Sequence, residues 1–86
     1  MRFEWDDAKN RSNVAKHRIH FETAVLVFED PHALVRLDRV VDGEERWQTI
    51  GMIEGFLVLL VAHTLSDEVI RIISARKATP SRKKVL

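Results

Sequence analysis

The sequence predicts an α+β fold in which an antiparallel four-stranded meander packs against two N-terminal helices and is followed by a short C-terminal helix. Two observations carry this prediction. Apolar residues recur at helical spacing in the first third of the chain, whereas alternating or continuous apolar runs separated by turn residues fill the rest. A chain of 86 residues is expected to form a single domain over residues 1–86, small enough for a second copy or a partner protein to bury part of its surface.

The N-terminal third is predicted to contain a short strand and two helices. Phe3-Glu4-Trp5 alternates apolar and polar residues as strands do, and Asp6 can cap a polar helix from about Asp7 to His17. The second helix is predicted from an apolar stripe at positions i, i+3, i+4 and i+7, which consists of Phe21, Ala24, Val25 and Phe28. Asp30-Pro31 ends this helix, because a residue before proline disfavours the helical conformation.

Four strands are predicted in the remainder of the chain. Turn residues at Asp42-Gly43 and Glu54-Gly55 separate the first three of them. The third is apolar at every position, which indicates a central strand covered on both faces. The predicted strands are Val35–Asp38, Arg46–Ile53, Phe56–Ala62 and Val69–Lys77. Thr79-Pro80 is typical of the cap and first position of a short terminal helix.

Composition argues against several classes of protein. The chain has no cysteine, which excludes disulfides and thiolate metal sites and is typical of a cytoplasmic protein. The longest apolar run, Phe56 to Ala62, is too short to cross a bilayer, and the N-terminus lacks an apolar signal region, so no membrane partner is expected. His17 and His20 straddle a predicted helix break without an acid at ligand spacing. Neither a metal nor another cofactor is therefore expected.

Basic residues are concentrated towards the C-terminus, although the formal net charge is only +1. No acidic residue follows Glu68, and the basic residues beyond it are Arg71, Arg76, Lys77, Arg82, Lys83 and Lys84. Because arginine binds phosphate oxygens through a planar fork of donors, this block favours a phosphodiester ligand. In a regular strand, however, Arg71 and Arg76 point to opposite faces unless a bulge intervenes. An acid-paired arginine and one on a solvated edge explain the pattern equally well.

Three further positions are candidates for chemistry. Glu45 and Arg46 begin a predicted strand, where they could supply an acid or base and a phosphate clamp, or merely a cross-strand ion pair. His63 ends the apolar strand, where an imidazole could exchange a proton near neutral pH or simply close the strand. Trp47 could stack on a base or belong to the core.

Several short motifs follow one another in order over nearly the whole chain. They are Phe3-Glu4-Trp5-Asp6, Lys16-His17, Phe21-Glu22-Thr23-Ala24, Val27-Phe28-Glu29-Asp30-Pro31, Gly43-Glu44-Glu45-Arg46, Ile50-Gly51 and Arg71 to Ala78. Each motif is unspecific by itself, but the ordered set resembles the BrnT family of toxins from type II toxin–antitoxin pairs.

This resemblance implies a RelE-like fold and a ribonuclease that cleaves RNA without a metal and is silenced by a DNA-binding antitoxin. The implied reaction is attack by a ribose 2′-hydroxyl on the adjacent phosphate, which needs proton transfer at two oxygens and cations that stabilise the phosphorane. Arg46, Arg71 and Arg76 suit the charge role, and His63 the proton role. RNA and the antitoxin are the implied partners, and a homodimer of the chain within the antitoxin complex stays open.

One alternative belongs to a different class of protein. A non-enzymatic binding module could dock an acidic protein partner or DNA through the same cationic C-terminal strand. Cleavage requires a proton-transfer group such as His63 or Glu45, whereas docking does not. A small basic ribbon-helix-helix protein encoded beside this chain would favour the toxin.

Overall fold

The computed structural model describes residues 1–78, which form an α+β fold with one five-stranded sheet. The elements in chain order are β1 (Arg2–Glu4), α1 (Asp7–His17), α2 (Phe21–Ala24), a 3₁₀ helix (Val25–Glu29), β2 (Leu34–Val41), β3 (Glu44–Ile53), β4 (Leu57–Ser66) and β5 (Val69–Lys77). The predicted bounds of α1 and β5 match the observed ones. The terminal helix predicted at Thr79-Pro80 lies outside the described residues.

The sheet is mixed and has five strands, because the short N-terminal strand joins the four strands that follow the helices. Strands β2 to β5 pair antiparallel with their neighbours in the chain, and β1 adds in parallel to the other side of β5, which gives the order β1-β5-β4-β3-β2. A strand of three residues carries too little pattern to indicate its partner. Its one apolar side chain, Phe3, packs on Phe28 with 5.3 Å between the ring centroids.

The helices pack on one face of the sheet, which we call the covered face. We call the opposite face the open face. Strand residues alternate between the two. The covered face carries all but one of the buried positions of the three central strands, the exception being Thr64; they are Thr49, Gly51, Ile53, Leu59, Val61, His63, Ile70, Ile72 and Ala75. The open face carries half-buried and exposed positions, among them Gln48, Ile50, Leu60, Ala62, Ser74 and Arg76.

Helix α1 is polar, as predicted, and is fixed to the sheet by a polar side chain. Asp6 caps it by accepting hydrogen bonds from the backbone N–H groups of Ala8 and Lys9. Its one buried residue, Asn13, donates to backbone oxygens of Ile19 and of Ala75 in β5. No helix within residues 1–78 is long and apolar enough to span a membrane.

The second predicted helix is a single α-turn that continues as a 3₁₀ helix. Residues three apart lie above one another in a 3₁₀ helix, and β-branched residues such as Val25 and Val27 favour the α-helix less. The fully buried side chains are accordingly Phe21, Ala24 and Val27. Val25 and Phe28, which were expected in the stripe, are only partly buried at the margin of the core.

Candidate functional site

An irregularity in the pairing of β4 with β5 brings Arg71 and Arg76 to the same face of the sheet. Between Ala62 and His63 the β4 chain advances by one residue, while the paired positions on β5 advance by two, so Ile73 is an extra residue. Such a bulge shifts the alternation of side chains by one position. Both arginines therefore extend from the open face. The sequence alone could not decide whether they share a face, because that depends on the presence of a bulge.

The two arginines are well separated along that face. Arg71 is level with Thr64 of β4, and Arg76 is level with Leu60. Four residues of a strand span about 13 Å. Both side chains are exposed to solvent. The two arginines are therefore not direct neighbours on that face.

Arg46 joins the open face from β3, on the other side of β4. Trp47 pairs with His63 on the covered face, so the preceding residue, Arg46, points to the open face and is level with Thr64. Thr64 is also the partner of Arg71. Arg46 and Arg71 thus lie on either side of Thr64, two strand spacings or about 10 Å apart.

Each of these two arginines has a carboxylate neighbour on the same face. Arg71 Nη1 donates to Glu4 Oε2 at 3.2 Å, and both side chains are about half exposed. Arg46 Nε lies 3.4 Å from Glu44 Oε1, which is within ion-pair range, but the geometry is not that of a hydrogen bond and the buried Nε has no other partner. Exposed ion pairs of this kind contribute at most about 1 kcal/mol, so an incoming anion can displace them.

Arg76 differs from the other two arginines in its surroundings. Within residues 1–78, no acidic side chain lies within ion-pair distance of it. The backbone just before Arg76 is held in place, because the Asn13 side chain forms hydrogen bonds with the backbone of Ala75.

His63 lies on the covered face, apart from the arginines. Its side chain is only 2% exposed, its Nε2 lies 2.7 Å from Thr49 Oγ1, and its Nδ1 lies 3.1 Å from the backbone oxygen of Thr64. The imidazole and the Phe28 ring are nearly perpendicular, with 5.1 Å between their centroids. Burial lowers the pKa of His63 from its ordinary value, which keeps the imidazole neutral near pH 7. His63 therefore lies within β4, three residues before its end, and does not close the strand as expected.

The other sequence candidates also lie away from the open face. Trp47 is half-buried beside His63, and Glu45 is exposed opposite Val40 on the side of the helices. Glu22 belongs to the helical layer, where a hydrogen bond from Asn10 at 3.0 Å lowers the pKa of its carboxyl.

A shallow depression marks the end of the open face where β1 joins the sheet. It has a volume of about 480 Å³ and contains Arg71, Glu4 and Glu44 among its lining residues. Sequence reasoning missed Glu4 as a neighbour of Arg71, because the partner of β1 is not encoded in three residues. Glu44, two residues before Arg46 on the same strand, was missed although its spacing places both side chains on one face. Within the described part of the chain, no three His, Asp or Glu side chains come close enough together to hold a metal ion.

Comparison with known proteins identifies the family to which the chain belongs. Residues 5–81 match the family model described as the ribonuclease toxin BrnT of type II toxin–antitoxin systems. The chain belongs to the BrnT family. The crystal structure of the Brucella abortus ribonuclease toxin BrnT is similar, with a TM-score of 0.74 and 32% identity over 92% of this chain and 97% of that chain. A search of curated proteins found no match.

Membership of the BrnT family confirms the resemblance seen in the ordered motifs. It identifies the chain as a ribonuclease toxin, with RNA as substrate and an antitoxin as partner. The BrnT structure from Brucella likewise confirms the α+β fold class.

Proposed function

We propose that this BrnT-family chain is an endoribonuclease that cleaves RNA on the open face of its sheet, without a metal ion. The observation that carries this proposal is the bulge at Ile73, which turns Arg71 to the face that holds Arg46 and Arg76. Bulges are common next to active sites because they re-aim a side chain. A polyanion binds to a surface on which cations lie on the same face, and the bulge produces such a surface.

The proposed reaction is transfer within one phosphodiester. The ribose 2′-oxygen forms a bond to phosphorus and gives up its proton, while the bond to the 5′-oxygen breaks and that oxygen gains a proton. The products are a 2′,3′-cyclic phosphate and a 5′-hydroxyl. Negative charge on the phosphoryl oxygens increases in the transition state, so preorganised cations lower the barrier.

Arg46 and Arg71 are the pair best suited to the scissile phosphate. They flank Thr64 at a separation that lets both guanidinium groups extend inward to one phosphate. Their fixed positive charge supplies the electrostatic stabilisation for which other nucleases use a divalent ion. Arg76, about 13 Å along β4 from Arg71, would hold a neighbouring phosphate of the same strand.

The proton acceptor is proposed to be a carboxylate of the open face. Glu4 supports this role because its Oε2 lies beside Arg71 and its side chain is half exposed. His63, the residue first assigned to proton transfer, would require local opening of the core to reach the same phosphate. A carboxylate with an arginine neighbour can accept the 2′ proton and be held in position at the same time.

The antitoxin of this chain is proposed to be a DNA-binding protein that covers the open face. Neutralisation requires that RNA be kept from the arginines, and an acidic segment would replace Glu4 and Glu44 as their counter-charge. A RelE-like relationship of the fold, a cytoplasmic location and a homodimer within the antitoxin complex belong to the same proposal.

The test is cleavage by purified protein, free of partner, in excess chelator. We expect RNA fragments ending in 2′,3′-cyclic phosphate, and no cut at a position where the scissile nucleotide is 2′-deoxy. Arg71→Ala should lower the rate on the order of a hundredfold. Arg11→Ala, an equal loss of charge on α1, is the matched control.

Two outcomes would contradict the proposal. Activity lost in chelator and restored by a divalent metal would refute metal-independent cleavage. Binding of RNA without cleavage would support the non-enzymatic binding module, since the same arginines can dock an anion without reaction.

A further inference from the structure

The edge strand β2 contains a second bulge. Leu37 pairs with Trp47, but the next paired position is Arg39 with Arg46, so Asp38 is an extra residue on β2. Regular alternation would place Arg39 on the same side as Leu37, towards the covered face. The bulge instead places Arg39 on the open face.

The two bulges adjoin one row of the sheet from opposite sides. Trp47 and His63 are paired across β3 and β4, and their outer partners are Leu37 and Ile72, which adjoin the two extra residues. The next row across β2, β3, β4 and β5 on the open face consists of Arg39, Arg46, Thr64 and Arg71. Two independent irregularities therefore complete one row of three arginines.

Arg39 and Arg46 are direct cross-strand neighbours, an arrangement of like charges that destabilises a sheet when no anion lies between them. The acids nearby satisfy them only in part. Asp38 Oδ2 accepts from Arg39 Nε at 3.1 Å, and the Arg39 side chain remains 69% exposed. Arg46 Nε is buried without a hydrogen bond, although Glu44 is near. Arg39 and the exposed part of the Arg46 side chain thus remain accessible to another anion, whereas the buried Arg46 Nε is not.

A small depression opens between these two arginines. Its volume is about 190 Å³, and its lining residues are Asp38, Arg39, Val41, Arg46, Ala62 and Ile73. Both extra residues, Asp38 and Ile73, contribute to it. The apolar lining offers surface on which the flat face of a guanidinium can pack while its N–H edge stays directed at a ligand.

We propose that Arg39 and Arg46 form a phosphate subsite for single-stranded RNA, adjacent to the phosphate that is cleaved. This inference rests on the proposed function. The row from Arg39 to Arg71 spans three strand spacings, about 14 Å, which is too long for one phosphate group and suits a chain of them crossing the strands. Arg39 contacts no reacting atom in this arrangement and is a positioning residue.

The experiment measures binding apart from cleavage. The probe is a 2′-O-methyl RNA oligonucleotide, which has no free 2′-hydroxyl to attack and stays intact. We expect Arg39→Ala to raise its Kd about tenfold and to reduce the slope of log K against log salt concentration by about 0.7, the value for one lost phosphate contact on a single strand. With cleavable RNA, KM should rise while kcat changes little. Arg39→Lys should restore part of the affinity, because it keeps the charge but not the fork.

Two matched variants control for charge. Arg36→Ala removes a cation from the same strand and face, but in the next row, where Arg36 Nε already donates to Gln48 at 3.0 Å. Arg11→Ala removes a cation from the helical layer. Both should leave Kd within about twofold of the wild-type value, as is usual for an exposed charge away from the ligand.

The outcomes separate the subsite from the proposed function. If the wild-type protein cleaves RNA and Arg39→Ala binds the oligonucleotide as Arg36→Ala does, the subsite is wrong and the ribonuclease stands. A fall in kcat with unchanged KM would also overturn the positioning role. If the wild-type protein neither cleaves RNA nor binds the oligonucleotide, the proposed function fails and the subsite fails with it.

Discussion

Asn13 and Ala75 are joined by two hydrogen bonds, although 62 residues separate them in the chain. Asn13 Nδ2 donates to the Ala75 oxygen at 2.8 Å, and Asn13 Oδ1 accepts from the Ala75 N–H at 3.0 Å. Ala75 lies beyond the end of β1, so this side of β5 has no strand partner there. The asparagine amide takes the place of a strand and fixes α1 beside Arg76.

Asn13→Ala should therefore destabilise the protein strongly for a single polar substitution. It would leave backbone groups of Ala75 and Ile19 without partners in a buried place, which costs about 3 kcal/mol in total. The free energy of unfolding in urea measures the loss. Asn10→Ala is the control, since Asn10 bonds at a less buried place and its loss should cost about 1 kcal/mol. Equal losses in the two variants would show that the Ala75 contact is not special.

Arg71→Ala and Arg76→Ala should each abolish toxicity in cells while leaving the protein folded. Both side chains are exposed, so their removal creates no cavity, and the Glu4 ion pair of Arg71 contributes little to stability. Growth after induction and the thermal midpoint Tm measure the two effects. Arg11→Ala should stay toxic. If Arg76→Ala stays toxic, or if both variants unfold, the arginines are structural and the site lies elsewhere.

His63 should make the fold sensitive to acid. Burial lowers the pKa of His63 in the folded state below about 6.5, the value expected in the unfolded chain. In acid the unfolded state binds more protons, so the free energy of unfolding falls as pH drops below about 6.5 and levels off below the folded pKa. Urea unfolding between about pH 7 and pH 5 measures this slope.

His63→Gln should flatten that slope, because the amide can still bond to Thr49 and does not titrate in this range. His32→Gln, at an exposed position, should leave it unchanged. If the role of His63 is structural, a folded His63→Gln protein also keeps its ribonuclease activity. A folded but inactive variant would restore the proton role first assigned to this histidine.

Binding of the antitoxin should weaken as salt rises. If acids of the partner meet Arg46, Arg71 and Arg76 on the open face, salt screens part of the attraction at a partly exposed interface. Isothermal titration at low and high salt measures the change in Kd. An affinity that does not respond to salt would indicate an apolar interface, for which the exposed side chains Leu34, Val35 and Leu37 of edge strand β2 are available.

The sequence was sufficient to locate most elements, because the signals for them are local. Asp6 as a cap and the alternation from Val69 onward predict α1 and β5 with their observed bounds. The faces of the sheet depend instead on register, and any residue type can be the extra one in a bulge. Nothing in the local sequence indicates that Ile73 and Asp38 are the extra residues of the two bulges. Arg39 was consequently missed, and the shared face of Arg71 and Arg76 could only be stated as a condition.

His63 illustrates the same limit from the other side. His63 was expected to end its strand, but β4 continues to Ser66. Whether the side chain faces solvent or the helices depends on which residues of β4 lie beneath the 3₁₀ helix. The imidazole faces the helices, because it packs against the ring of Phe28. That contact joins residues 35 positions apart and follows from the tertiary fold rather than from local pattern.

The parallel pairing of β1 with β5 also determines at what stage of synthesis the arginine-bearing face of the sheet can form. Glu4 precedes its partner Arg71 by 67 residues, so it leaves the ribosome well before Arg71 does. Until β5 emerges, α1 lacks its attachment at Ala75 and no face of the sheet holds Arg71 or Arg76. On the proposed function, a nascent chain that has not yet released β5 therefore lacks these arginines and cannot cleave RNA.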